Sequence, residues 1–337
     1  MAFSDTGTPS NTRSTAEAEE KIRQSLAKWF RRNGRKLPWR ETTDPYAILV
    51  SEFMLQQTTV AAVKPYFHRW MERFPTVRHL AEASEEEVLH LWQGLGYYSR
   101  ARNLHAAAKA VIACHGGIVP STRAELRALP GVGNYTAGAV SAFAFDAVET
   151  VIDANIARVL ARLNNWQKPI DDATGKTFLE KAAHALLPAK GGRLHTSALM
   201  ELGALVCTAR NPDCDDCPVR LECQAENPEA LPVKRARPQV ELIAESRACV
   251  FDRGKLWLEP SHGPRWKGMW LLPPSDGGGR LLHTEIYPIT RYRVTMSVHA
   301  ERRTSELFKG FSLTELPPMP SPHRRAVAAL IRNGHIG

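Results

Sequence analysis

A chain of 337 residues with 43% apolar and 23% charged residues has the make-up of an ordinary globular protein, long enough for two or three domains. Its formal net charge of +9 points to a polyanionic partner, with nucleic acid ahead of a membrane surface because no basic amphipathic helix stands alone. Charge by itself does not decide this, since many basic proteins bind no nucleic acid. The longest apolar run, YAILVSEFML, is cut by Glu52 and too short to cross a bilayer, and MAFSDTGTPSNTRSTA at the start has no apolar signal segment. The expectation is a cytoplasmic protein of a bacterial-type cell, where thiols stay reduced.

Residues 1–16 are polar, rich in Ser and Thr, and read as a disordered tail. From 17 to 227 the text is a succession of helical, apolar-periodic segments. Short breaks separate them at LPWRETTDP, FPTV, HGGIVPST, LPGVGN and LPAKGG. A proline-rich, basic linker follows over 228–240. Beyond it RACVFDRGKLWLE, GMWLLP and YRVTMSVHAER alternate as strands do, and HRRAVAALIRN closes the chain as an amphipathic helix. The predicted architecture is a mainly α domain over 17–227 joined to a smaller α+β domain over 241–337, without internal repeats.

The segment DPYAILVSEFMLQQTTV predicts a helix that is apolar nearly all round. A glutamate at position 52 within it cannot easily reach water, and burial of that kind keeps a carboxyl protonated. A glutamate salt-bridged at a helix edge is the plainer alternative. Further on, ELRALPGVGNYTAGAVSAFAF places Gly131 and Gly133 in a tight turn before a helix. Its backbone N–H groups there suit one phosphate oxygen, as in a helix-hairpin-helix, although a plain αα-hairpin uses similar glycines. In ETVIDANIARVLARL, Asp153 stands where an N-cap belongs, with Asn155 beside it. One protonated Glu and one ionised Asp would suit glycosidic bond cleavage.

Four of the six cysteines lie in CTARNPDCDDCPVRLEC, spaced C-x6-C-x2-C-x5-C. In a reducing compartment this suggests a metal site rather than disulfides. Only Cys214 and Cys217 form a zinc-like C-x2-C pair, flanked by Cys207 and Cys223, so the spacing alone leaves both structural zinc and an iron–sulfur cluster open. Closing this loop would also present Arg210 and Arg220 on a basic surface suited to a phosphate backbone.

Taken together, LPWR, SEFMLQQTTV, PYFHRWMERFPTV, LWQGLGYYSRARNLH, LPGVGNYTAGA, VIDANIARVLAR, MELGALVC and the cysteine loop resemble the endonuclease III superfamily, and within it the adenine DNA glycosylases. The resemblance runs from about residue 22 to 223. It implies a two-subdomain helix-hairpin-helix fold, with a six-helix subdomain over about 45–153 and an iron–sulfur subdomain from 17–44 plus 154–227. It implies a [4Fe–4S] cluster on Cys207, Cys214, Cys217 and Cys223. By the same resemblance Glu52 is the general acid toward adenine N7, Asp153 the carboxylate facing the sugar cation, and Asn155 a neighbour of Asp153. Gln57 and Tyr97 are residues that wedge into the duplex where the base is flipped out. Tyr135 stands where bifunctional relatives carry a nucleophilic lysine. A phenol forms no imine, so a glycosylase with little or no lyase activity is expected.

The C-terminal region resembles, more weakly, a Nudix-like domain that senses 8-oxoguanine opposite the adenine. GPRWKGMWLLP carries that likeness, and only 18 residues then separate Pro273 from Tyr292, so the domain is expected to be truncated. The recognition turn aligns with Ile289, Thr290 and Arg291, of which Thr290 keeps a hydroxyl and Arg291 can donate to a guanine edge. The implied partner is double-stranded DNA with adenine opposite 8-oxoguanine or guanine, bound by a monomer in base excision repair, with no membrane association. A mismatch thymine glycosylase and a non-catalytic iron–sulfur DNA-binding module are the rival readings.

Overall fold

The computed structural model describes residues 15–236, 239–263, 265–302 and 305–337. The expected tail over 1–16 therefore lies outside the described residues up to position 14. Two residues of the linker, 237 and 238, also lie outside them.

Among the described residues eleven α-helices run through the first part of the chain: α1 (Thr15–Asn33), α2 (Pro45–Leu55), α3 (Val60–Arg73), α4 (Val77–Glu82), α5 (Glu85–Trp92), α6 (Ser99–His115), α7 (Arg123–Ala128), α8 (Asn134–Phe145), α9 (Ala154–Leu163), α10 (Ala173–Ala185) and α11 (Gly192–Leu205). Their starts follow local chemistry. Thr59, Thr76, Ser84, Asp153 and Asp172 each accept an amide N–H of the first turn, at the heads of α3, α4, α5, α9 and α10. The glycine and proline words that break the periodicity fall between helices, as expected. Six strands and a last helix follow: β1 (Glu241–Asp252), β2 (Lys255–Pro260), β3 (Trp270–Leu271), β4 (Leu281–Ile289), β5 (Tyr292–Ala300), β6 (Lys309–Ser312) and α12 (Ser321–Arg332). Among the described residues no helix is long and apolar enough to cross a membrane.

By their contacts the residues divide into two units. Of the described residues, the first comprises 15–48, Ser121–Ala124 and Gly133–Arg235. Its core gathers Leu26 of α1, Ile156 and Leu160 of α9, Leu199 and Leu202 of α11, and Val219, all buried. Helix α11 is central, packing on α1, α8 and α9. It carries one fully buried charge, Glu201, which takes Arg35 Nε and Nη2 at 2.8 and 2.9 Å and Arg40 Nη2 at 2.9 Å. This ties the LPWR segment to α11.

The second unit comprises Leu49–Pro120, Glu125–Val132 and Ala236–Gly337. In its helical part Trp70 meets Phe74 and Trp92 edge-on, with ring centroids 5.2 and 5.4 Å apart. The sheet runs β3-β2-β1-β5-β4, with β6 pairing β2. β1 and β5 are parallel, in the register Glu241 opposite Tyr292, and the β1–β2 and β4–β5 pairs are antiparallel hairpins. Helix α12 packs against β4 and buries Val327 and Leu330 with Leu256, Val294 and Met296.

Two strands go beyond the sequence reading. β4 contains Pro288, which cannot donate to a ladder but is tolerated because β4 is the sheet's edge. β6 is four residues long, too short to show alternation. No helix intervenes over 272–280 between β3 and β4, in line with the short spacing there.

Candidate active site and nucleic-acid interface

Asp44 starts α2, its carboxylate oxygens accepting the amides of Tyr46 and Ala47 at 3.0 and 3.3 Å. The helix then runs almost wholly apolar and buried, which carries Glu52 inside with 4% exposure, next to a fully buried Ser51. The interior position expected of Glu52 is the one observed. Glu52 belongs to the second unit and Asp153 to the first.

Asp153 serves as N-cap of α9. Its Oδ1 accepts the Ile156 amide at 2.7 Å, and its Oδ2 accepts Asn155 Nδ2 at 2.9 Å. Burial pushes its carboxyl above the ordinary value, and these two donors oppose that rise. The cap and a partly buried, oriented carboxylate are thus one and the same group. Behind it, Arg158 Nη2 donates to Asn155 Oδ1 at 2.8 Å and to the Gly203 carbonyl at 2.6 Å, while Nε donates to the Cys207 carbonyl at 2.7 Å. One turn on, Arg162 Nη1 donates to Cys207 Sγ at 3.2 Å and to the Thr208 carbonyl at 2.7 Å. A continuous set of hydrogen bonds therefore links Asp153 to the first cysteine of the loop. Arg158 and Arg162 were not singled out from the sequence. The signal available was two arginines four apart in an otherwise apolar helix, where long-range partners cannot be named.

Gln57 and Tyr97 both adopt left-handed backbone, with φ of 55° and 47°. Gln57 is exposed and Tyr97 is 50% exposed, on turns that follow α2 and precede α6. Ahead of Tyr97, Gly94 (φ 109°) lies where a Cβ would sit 2.0 Å from the Tyr66 hydroxyl, so only glycine fits. These turns give exposed side chains rigid footing. In the hairpin, Gly131 has φ 72°, and a Cβ there would meet Asn103 at 2.4 Å. Gly133 caps α8 with open space around it, leaving the first-turn amides approachable. Tyr135 is partly buried against Ala139, Ala142 and Val151.

Of the four loop cysteines, Cys207, Cys217 and Cys223 pack against the core of the first unit. Burial pushes the Cys217 thiol up to about 11, and the charges of Cys207, Cys223 and Cys214 add to the rise. Burial raises Cys223 likewise, with Cys207 and Cys214 contributing. Four sulfurs close enough to resist each other's ionisation form a donor set that needs a strongly cationic centre to deprotonate it. Four thiols in one loop, packed beside the core of the first unit, suit an iron–sulfur centre. On the outside of the loop Arg210 and Arg220 are exposed, Arg220 pairs with Asp215 at 3.1 Å, and Leu221 is 89% exposed.

Thr290 and Arg291 form the exposed β4–β5 turn, with Thr290 at φ 51°. Both side chains have partners within the turn region. Thr290 Oγ1 donates to the Ile289 carbonyl at 2.7 Å, and Arg291 Nε meets Glu241 Oε1 at 3.0 Å.

A helical scaffold with a glycine hairpin, an aspartate capping the helix that follows it and a cysteine loop after α11 has the features of the helix-hairpin-helix class. Residues 50–184 match the HhH-GPD superfamily base excision DNA repair protein model, and residues 207–220 match the iron–sulfur binding domain of endonuclease III. The cysteine loop is thus an iron–sulfur binding segment. Among solved structures, a thermostable thymine-DNA glycosylase is 28% identical with a TM-score of 0.56, covering 62% of this chain and 97% of that one. A non-covalent endonuclease III–DNA complex is 26% identical with a TM-score of 0.54, covering 63% and 96%.

The chain belongs to the adenine DNA glycosylase family. It is 42% identical over 256 residues to the adenine DNA glycosylase of Mycolicibacterium smegmatis, which covers 74% of this chain and 86% of that protein. It is 44% identical over 277 residues to the Homo sapiens protein, covering 79% of this chain and 48% of that one. The Rattus norvegicus protein is 45% identical over 214 residues, with 60% and 41% covered. The chain thus spans about half the length of these mammalian relatives.

Proposed function

We propose that this chain is a monofunctional DNA glycosylase that hydrolyses the N-glycosidic bond of adenine mispaired with 8-oxoguanine or guanine, in base excision repair. The observation that carries the reading is Asp153. It is a partly buried carboxylate, raised by desolvation yet oriented by Ile156 and Asn155, in a chain of this family. In the proposed reaction Glu52 gives its proton to adenine N7. The C1′–N9 bonding pair then withdraws into the purine, leaving an oxocarbenium-like sugar that Asp153 stabilises or transiently bonds. Water adds at C1′ and loses its proton to a carboxylate, which yields free adenine and an abasic site. Tyr135 offers no amine for an imine, so the strand is left intact.

Gln57 and Tyr97 wedge the duplex, and Gly131, Gly133, Arg210 and Arg220 engage its backbone. Cys207, Cys214, Cys217 and Cys223 would hold a [4Fe–4S] cluster. When bound it closes the loop covalently and fixes the backbone that Arg158 and Arg162 grip. We assign 17–227 to catalysis, as subdomains 45–153 and 17–44 plus 154–227, and 241–337 to 8-oxoguanine recognition through Thr290 and Arg291. The protein acts as a cytoplasmic monomer on DNA.

Single-turnover excision on duplexes carrying one A:8-oxoguanine, A:G or T:G mispair tests this. Loss of adenine alone is expected. Loss of thymine instead would transfer the assignment to thymine glycosylases, the name carried by one solved neighbour.

A further inference from the structure

Arg100, in the first turn of α6, is buried at 6% exposure and joins the two turns that carry Gln57 and Tyr97. Its Nη1 donates to the carbonyls of Phe53 at 3.0 Å, Met54 at 2.8 Å and Gln56. Its Nη2 donates to the Thr58 hydroxyl at 3.2 Å and to the carbonyls of Leu95 and Gly96, each at 3.0 Å. One guanidinium therefore collects both the end of α2 with the turn after it and the turn before α6. The same group lies 5.3 Å from the Trp92 ring centroid and 5.5 Å from that of Tyr97.

The acceptors are backbone dipoles, including the negative end of α2, rather than a carboxylate. Burial pulls the guanidinium down to about 10, which leaves it protonated at neutral pH. A lysine could not replace it, because a point charge with three donors cannot span acceptors on two turns. What a simple structural bolt leaves unexplained is the place of convergence. Both turns present a non-glycine residue in the left-handed region, at Gln57 and Tyr97, and both side chains are exposed. Such backbone persists only where surrounding contacts over-determine it.

We propose that Arg100 is a positioning residue that locks Gln57 and Tyr97 in one frame, so that the two side chains enter the duplex together and expel the target base. This rests on the reading of those two residues as the wedge. It makes base extrusion depend on a group that touches no DNA.

The test is stopped-flow fluorescence of a duplex with 2-aminopurine in place of the mispaired adenine, read before excision, with the full chain carrying its cluster. Arg100→Lys is expected to reduce the extrusion signal by about tenfold or more, as small misplacements of positioning groups do. Its visible iron–sulfur absorption should stay close to that of the parent; its thermal midpoint should fall, because buried carbonyls lose their donor, so extrusion is read well below that midpoint. Thr58→Val, which removes one acceptor of the guanidinium and the hydroxyl's own bond to the Gln56 carbonyl, should reduce extrusion less but in the same sense. Added to Gln57→Ala/Tyr97→Ala, Arg100→Lys should cause no further loss. Normal extrusion by Arg100→Lys or by Thr58→Val, or an additive loss in the triple variant, would overturn the proposal. Normal extrusion by Gln57→Ala/Tyr97→Ala would show that the wedge reading itself is wrong, and the proposal would fall with it.

Discussion

Asn155 donates its side-chain amide to Oδ2 of Asp153 over 2.9 Å, and the oxygen of that amide accepts Arg158 over 2.8 Å. The amide thus holds the carboxylate on one side and is itself held from the cysteine loop on the other. Asn155→Leu removes both bonds at once. A hydrogen bond to a charged group contributes ~1.5–3 kcal/mol, so excision should slow by roughly 10- to 100-fold. The acid limb of the pH–rate profile should also move to higher pH, because a donor that favours the ionised carboxylate is gone. Single-turnover rates across pH 4–8 (roughly the range where carboxylates and histidines titrate) check both.

Asp153→Asn separates catalysis from capping. Asparagine caps helices about as well as aspartate. Burial raises the folded-state pKa of Asp153, so the folded chain holds that proton more tightly than the unfolded chain does. The ionised group therefore disfavours folding at neutral pH, and less so as pH falls. A neutral asparagine should leave the thermal midpoint unchanged or higher while excision disappears. Loss of excision together with a large drop in midpoint would mean that activity fails through the fold rather than through the missing carboxylate.

Glu201 makes the opposite prediction. Burial would raise its carboxyl, but hydrogen bonds from Arg35 and Arg40 outweigh that and hold it down to about 2. Its contribution to stability is complete above the unfolded value of 4.5 and is lost as pH falls toward 2. Glu201→Gln should cost about 3 kcal/mol in urea unfolding at pH 7, where the buried ion pairs are broken. The gap between variant and parent should close as the pH is lowered through that window.

The Thr290–Arg291 turn is exposed, but Arg291 is held by Glu241 at 3.0 Å. An exposed pair of this kind is weak and can be exchanged for a base edge. Arg291→Ala should reduce the preference for 8-oxoguanine over guanine by about tenfold, the scale of one lost base contact. Glu241→Gln, which frees the arginine, should raise it. Unchanged preference in both variants would remove the turn from lesion recognition.

What the sequence made legible was local. Glycine and proline words marked helix ends, Asp153 announced a cap, and the apolar run around Glu52 announced burial. Strands β1, β2 and β5 showed their alternation, whereas β4 hid behind Pro288 and β6 was too short. The positions that organise the sites were harder to see. Glu201 and its partner Arg35 are 166 residues apart, and Arg158 reaches Cys207 across 49. No periodicity encodes such pairings. Arg100 closes a turn across only 44 residues to Gln56, yet an arginine near a helix start reads as a solvent-exposed charge.

In the proposed reaction, carboxylate chemistry begins with a proton from Glu52, a buried acid. Glu52→Gln keeps the shape of the side chain and removes its proton. Single-turnover excision of adenine opposite 8-oxoguanine, measured beside affinity for the same duplex, tests it most directly. Excision should be lost by about 100-fold or more, on the scale of a missing general acid, while affinity stays within a few-fold of the parent. Excision at the parent rate by Glu52→Gln would contradict it.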